Sequence, residues 1–227
     1  MRFEDFKNIM SEPRLNRYLL SVGGNTRKAM TLYRKNLRLS QEMFTVESCF
    51  EVALRNAIDK HYTDIYGAEW LKDFCLTGGR FDTQQTRNTK NIITNAKNKL
   101  NSNYTHPKLV AALDFGLWRY LFSQPQFRAG GQNLLQIFPS KPNSTPAIQY
   151  NHTYIFNELA NINDLRNRIA HHEPICFLPN NPVINTNYVR QNYNLILQYF
   201  RWMNINEAEL LYGLDHITEV CNEIDRI

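Results

Sequence analysis

Three features of the chain predict an all-α fold. Apolar residues recur three and four positions apart through most of its length, no long run alternates with period two, and helix-start signals precede several of the periodic segments. At 227 residues, 43% of them hydrophobic, the chain is long enough to bury one good core. A single domain over 1–227 is the expectation, with 1–40 as an N-terminal helical extension and 41–227 as the core.

The spacing predicts helices over 12–22, 26–38, 40–66, 83–100, 107–123, 150–172, 186–203 and 207–226. Ser11 precedes Glu12-Pro13, Ser40 precedes Gln41-Glu42, Thr105 precedes His106-Pro107, and Asn206 precedes Glu207. In each case a short polar side chain stands where it can accept from the unpaired N–H groups of a first turn. In FGLWRYLF, 115–122, apolar or aromatic residues occupy every side except Arg119. That pattern predicts a central helix buried all round, with Gly116 admitting close helix packing. Gly130-Gly131 and Pro125, Pro139, Pro142 and Pro146 exclude a continuous helix between 124 and 149, which reads as a surface excursion with one short turn over 133–138. PICFLPNNPVIN, 174–185, is a second irregular connection. Beyond it, Tyr188, Tyr193, Tyr199, Phe200 and Trp202 interleave with Arg190 and Arg201 as a base-stacking surface would. Val189, Tyr193, Ile196, Leu197 and Phe200 also form an ordinary core stripe, and packing is the preferred reading.

The net charge of +5 and a pI near 9.0 favour polyanions only mildly. Cys49, Cys75, Cys176 and Cys221 form no CxxC pair and no disulfide framework, which points to free thiols in a reducing cytoplasm. MRFEDFKNIMSEPR is no secretion signal, and no stretch reaches the length of a membrane span. A soluble cytoplasmic protein without a membrane partner, cofactor or resident metal is therefore expected.

The segment NDLRNRIAHHEPI, 163–175, concentrates the chemistry. At about 100° per residue, Arg166 falls in the middle of the face formed by Ile155, Leu159, Ile162 and Ile169. A guanidinium there must meet a carboxylate, a phosphate or a water-filled cleft. Asn167 and His171, four apart, project together from a neighbouring face, and Pro174 should end the helix at about His172. An imidazole that exchanges protons near neutral pH, beside an arginine and an amide, suits phosphoryl chemistry. The same residues also fit a plain helix terminus, with the histidines on terminal carbonyls and Arg166 on a buried acid; the two readings stand level.

Spacing alone is not specific, because Arg55 and His61 repeat it. His61 shares a face with Val46, Phe50, Ala53 and Ala57 and reads as packed structure, while Glu51 and Arg55 form a candidate ion pair supporting the other site. A metal hydrolase built on His171, His172 and Cys176 is the weakest reading, since adjacent helical histidines diverge by about 100° and no acidic cluster accompanies them. Arg27, Arg34 and Arg38 line one helix face, a candidate grip on an RNA backbone or a plain solvated face.

LRNRIAHHEPI, FEVALRNAI, FGLWRYLF and TLYRKNLRLS together resemble the abortive-infection Abi-like family (AbiD/AbiF type) of the HEPN superfamily, over roughly 10–220 of the chain. The resemblance implies an all-α, HEPN-like bundle and a metal-independent endoribonuclease whose site is shared between two protomers. Arg166, Asn167 and His171 match the superfamily motif of arginine, a polar residue and a later histidine. His172 supplies a second register, and His172, Arg168, Glu51 and Arg55 are supporting candidates. An RNA substrate, a homodimer, and restraint by a small noncoding RNA or a protein antitoxin are the partners so implied. The alternative within the resemblance is a non-catalytic RNA- or protein-binding module acting as sensor, antitoxin or scaffold.

Overall fold

The structure, a computed structural model, describes residues 1–178 and 180–227. Among them the architecture is all-α: α1 (Phe3–Met10), α2 (Glu12–Ser21), α3 (Thr26–Tyr66), α4 (Trp70–Phe74), α5 (Arg87–Leu100), α6 (His106–Ala112), α7 (Phe115–Tyr120), α8 (Gln124–Ala129), α9 (His152–Ala170), α10 (Asn187–Trp202), α11 (Glu207–Leu210) and α12 (Ile217–Asp225). Short 3₁₀ turns cover Gln84–Thr86, Asn101–Asn103 and Leu134–Ile137. The one β pairing among the described residues is an isolated bridge between Phe177 and Ile184. No described helix is long and apolar enough to cross a membrane.

Several expected boundaries are corrected. Residues 26–38 and 40–66 form one 41-residue helix, and Ser40 lies inside it. Buried Leu32, Leu39, Met43, Val46, Phe50, Leu54 and Ile58 carry one stripe straight through, and no glycine or proline interrupts it. The expected helix 107–123 is two: Leu113 is extended, and Asp114 restarts the chain by accepting from Leu117 N–H at 2.9 Å. Gly116 serves that cap rather than helix packing, because a Cβ there would lie 3.3 Å from Asp114 Oδ1. The helix expected over 207–226 is divided by Gly213 at φ +72°.

The segment 124–149 is only partly a surface excursion. Pro125 sits in the first turn of α8, where its missing N–H costs nothing. Gly130 is buried with no room for a side chain, a Cβ there falling 2.2 Å from Tyr62 Oη. Leu134, Ile137 and Phe138 are buried as well, so the exposed part is about 139–149.

The described residues cluster into two compact units. The first comprises Met1–Ser48, Asp164–Leu197 and Glu207–Ile227; the second comprises Cys49–Asn163 and Gln198–Asn206. In the first, Phe6, Tyr33, Tyr18 and Phe177 form a chain of ring contacts at 5.3, 5.1 and 5.0 Å between centroids. Thr186, just before α10, and Arg190 within it both bind the Asp225 carboxylate of α12, at 2.9 Å for the ion pair. In the second, Trp70, Phe74 and Phe81 pack edge to face with Tyr62 tilted against Trp70, and Phe50 contacts Phe115, Tyr199 and Phe200. The aromatic residues at the end of α10 are therefore core rather than a base-stacking surface: Tyr199 and Phe200 are fully buried, while Tyr193 and Leu197 are half-buried.

Asp59 organises the polar side of the second core. Its Oδ1 accepts from Trp70 Nε1 at 2.8 Å and from His106 Nε2 at 2.7 Å. Replacing Asp59 with Ala strands both ring donors in the core. The expected loss is about 2–3 kcal/mol, read as a lower denaturant midpoint. Asp59→Asn, which keeps an acceptor oxygen, should lose less.

Candidate functional site

Helix α9 is capped by Asn151, whose side chain accepts from Tyr154 N–H at 3.0 Å. Its buried stripe is Ile155, Leu159, Ile162, Leu165 and Ile169. Arg166 lies on that stripe by angle, yet it is only half-buried where its apolar neighbours are closed off. Asn167 and His171 are exposed, one turn apart on the last turn.

The helix stops at Ala170, and the device that stops it is visible in full. His172 takes a left-handed conformation at φ +57°. Its N–H donates to Ile169 O at 3.0 Å, and Glu173 N–H donates to Arg168 O at 2.8 Å. This is the Schellman pattern, with His172 in the position that glycine usually fills. Arg168 completes the turn: its Nε lies 3.5 Å from Glu173, its Nη2 donates to Pro174 O at 2.6 Å, and its guanidinium lies 5.3 Å from the Tyr188 ring. Arg14 donates to His172 O at 3.0 Å. The two adjacent histidines are thereby distinguished. His172 is used by its backbone as a helix terminator, whereas His171 follows Asn167 by one turn; both imidazoles are exposed.

The chain beyond the turn is held by a residue that the sequence pattern did not single out. Asn36, buried in α3, accepts through Oδ1 from the N–H groups of Ile175 at 2.9 Å and Cys176 at 3.2 Å. Arg17 covers the Phe177 ring at 4.8 Å and donates to Leu178 O at 2.6 Å and Asn181 O at 2.8 Å. The signal for Asn36 was its place on an otherwise apolar stripe, between Leu32 and Leu39.

The remaining candidates are dispersed. Arg34 lies 5.4 Å from the Phe6 ring, and Arg38 is 3.7 Å from a Glu223 carboxylate that Lys35 holds at 2.7 Å. The Lys35 hydrogen bond keeps the Glu223 carboxyl below its ordinary pKa. Arg27 is exposed without an ion pair among the described residues. Glu51 and Arg55 belong to the other unit, where Arg55 Nε is buried without a hydrogen-bond partner. His61 is a packing residue, as its spacing suggested, with Nε2 3.0 Å from Asn133 Oδ1 and its ring against Tyr62. The metal reading of His171, His172 and Cys176 fails on geometry. Cys176 is fully buried while both histidines are exposed, and burial pushes its thiol up to about 12. No group of three His, Cys, Asp or Glu among the described residues is disposed as metal ligands.

Two substitutions test the terminus. His172→Gly removes the left-handed strain and should stabilise the chain by about 0.5–1 kcal/mol, measured by thermal unfolding. Asn36→Ala leaves two buried N–H groups without an acceptor, with an expected loss of about 2–4 kcal/mol.

No curated protein and no solved structure matches this chain. The Abi-like protein family matches residues 1–176, a span that includes α1 to α9, the Arg166–His171 turn and the Asn36 anchor. With more than three quarters of its length matched, the chain belongs to the Abi-like protein family.

Proposed function

We propose that this protein is a metal-independent RNA endonuclease of an abortive-infection system, of HEPN type, working as a homodimer. Membership of the Abi-like family supports the abortive-infection context. The observation that carries the catalytic reading is the division of labour at the end of α9. Exposed Asn167 and His171 stand one turn apart, beside half-buried Arg166, on a helix end set by backbone contacts.

The chemistry follows from these groups. The ribose 2′-OH attacks the adjacent phosphorus, and the leaving group is the 5′-oxygen of the next nucleotide. His171 takes or gives the proton, and Arg166, a planar fork, binds two phosphate oxygens as charge accumulates on them. Asn167 donates to the same oxygens. In-line transfer uses both a base and an acid, and a second copy of the turn related by a two-fold axis doubles the groups available for those roles in one cleft. The products carry a 2′,3′-cyclic phosphate and a 5′-OH.

Incubating the purified protein with total RNA in EDTA and mapping fragment ends is the direct test. Cleavage should persist in EDTA and spare DNA, which lacks the nucleophile. A requirement for divalent metal, or 3′-OH ends, would refute the mechanism. No cleavage under any condition would leave the non-catalytic binding module as the reading.

His171→Ala should slow cleavage by about 10²–10⁴-fold with RNA affinity little changed, while His172→Gly should retain the rate. Arg166→Lys keeps the charge and loses the fork, and should lower kcat by about 10²-fold. The opposite result for the two histidines would transfer the role to His172.

A further inference from the structure

Helix α2 lies along the chain that leaves the α9 terminus, and it is seated there by Leu15 and Tyr18, both buried, with the Tyr18 ring 5.0 Å from that of Phe177. Arg14 and Arg17, three residues apart on α2, share a face. Both reach backbone carbonyls beyond residue 170: Arg14 Nη1 donates to His172 O, and Arg17 Nη2 donates to Leu178 O and Asn181 O.

The two arginines are used differently. Arg17 is half-buried, its Nη2 serves two carbonyls, and its guanidinium covers the Phe177 ring at 4.8 Å, so it is committed to the fold. Arg14 is exposed, serves one carbonyl through Nη1 at 3.0 Å, and makes no ion pair among the described residues. The rest of its fork is left over. A helix C-terminus carries partial negative charge, which by itself favours a cation there. One carbonyl, however, is satisfied by any N–H donor, whereas a planar fork anchored by one arm still offers N–H groups spaced for the oxygens of a phosphodiester.

Its location is fixed by what Nη1 holds. His172 is the left-handed residue that ends α9, so the Arg14 guanidinium stands at the terminus that carries exposed His171 and His172. The charged residues of this terminus are Arg14, Arg166, Arg168 and Glu173, and Arg168 lies 3.5 Å from the one acid among them. Glu12 and Asp164 each precede an arginine of the set by two residues, which turns them about 200° away around their helices. The chemistry presented is that of an anion site.

We propose that Arg14 belongs to the substrate site at the α9 terminus and grips the RNA phosphate next to the scissile linkage, an assignment that rests on the endonuclease reading of that terminus. Along the chain the order is Arg166, His171 and then the His172 carbonyl that holds Arg14. A scissile phosphate shared by Arg166 and His171 leaves Arg14 for the neighbouring one. Such a grip fixes the strand equally in the ground state and the transition state, so it acts on KM and leaves kcat alone.

The test combines cleavage kinetics of the full chain on a single-stranded RNA with fluorescence anisotropy of its labelled 2′-O-methyl analogue, which lacks the attacking hydroxyl, over a range of KCl concentrations. Arg14→Gln retains an N–H donor for His172 O and removes the charge and the fork. KM should rise about tenfold with kcat within about twofold of the parent. The slope of log K against log salt should flatten by about 0.7, the contribution of one phosphate on a single strand. Arg14→Lys keeps the charge and should keep the slope, while KM rises about threefold with the loss of the fork. Arg17→Gln, which loses contacts within the fold, should lower the unfolding temperature and keep the parental slope.

Parental KM and slope in a folded Arg14→Gln overturn the phosphate contact. A loss confined to kcat also overturns it, and marks Arg14 as a support for the turn. If Arg14→Gln does not fold, parental KM in Arg14→Lys overturns the fork. A parent that cleaves while Arg14→Gln matches it removes the contact and leaves the endonuclease standing. A flattened slope in a protein that cleaves no RNA removes the endonuclease and leaves the contact, and RNA neither bound nor cut by the parent overturns both.

Discussion

The left-handed turn at His172 is the constraint on which the rest of the motif depends. A helix end leaves carbonyls without partners, and here two of them are satisfied by the chain folding back on itself at a single non-glycine residue. Because the backbone of His172 and the side chain of Arg168 complete the turn, Asn167 and His171 are not needed to cap it. They are left on the surface in a fixed register. Asn36 extends the same logic by one step. Its single oxygen takes two consecutive N–H groups immediately after Pro174, so the chain leaves the turn in one defined direction.

Both units rely on polar side chains, one buried and one half-buried, that receive more than one donor. Asn36 does this for backbone amides in the first unit, and Asp59 does it for two aromatic rings in the second. Such acceptors cost desolvation unless all their partners are present, so they select one arrangement of the surrounding helices against near alternatives. The apolar stripes supply the driving force without that discrimination, since a helix can slide by a turn and still bury leucine and phenylalanine.

The long helix α3 shows how far periodicity carries and where it fails. The stripe from Leu32 through Ile58 was legible, because 3.6-residue spacing is a local property of the chain. The break expected at Ser40 does not occur, because a cap signal is a short-range preference that unbroken burial on either side overrides. The opposite happens at Asp114. There the apolar pattern runs on through Leu113 and Phe115, and only the cap geometry shows that one helix has become two. Gly130 belongs with these cases: as a helix breaker it was visible in the sequence, but its closeness to Tyr62 depends on a residue 68 positions away.

By itself the sequence determined the all-α class, the order of most helices, the position of the motif at a helix end, and the family resemblance. Each depends on spacing, on turn chemistry or on a contiguous motif, all of which are local. Only the tertiary structure decided that the backbone of His172 terminates the helix and that both imidazoles stand exposed. It also showed that Arg34 and Arg38 are engaged by Phe6 and Glu223. Those outcomes depend on which side chain arrives from a distant part of the chain. No periodicity encodes that arrival, because it is set by packing between elements and by the partners that buried polar groups must find.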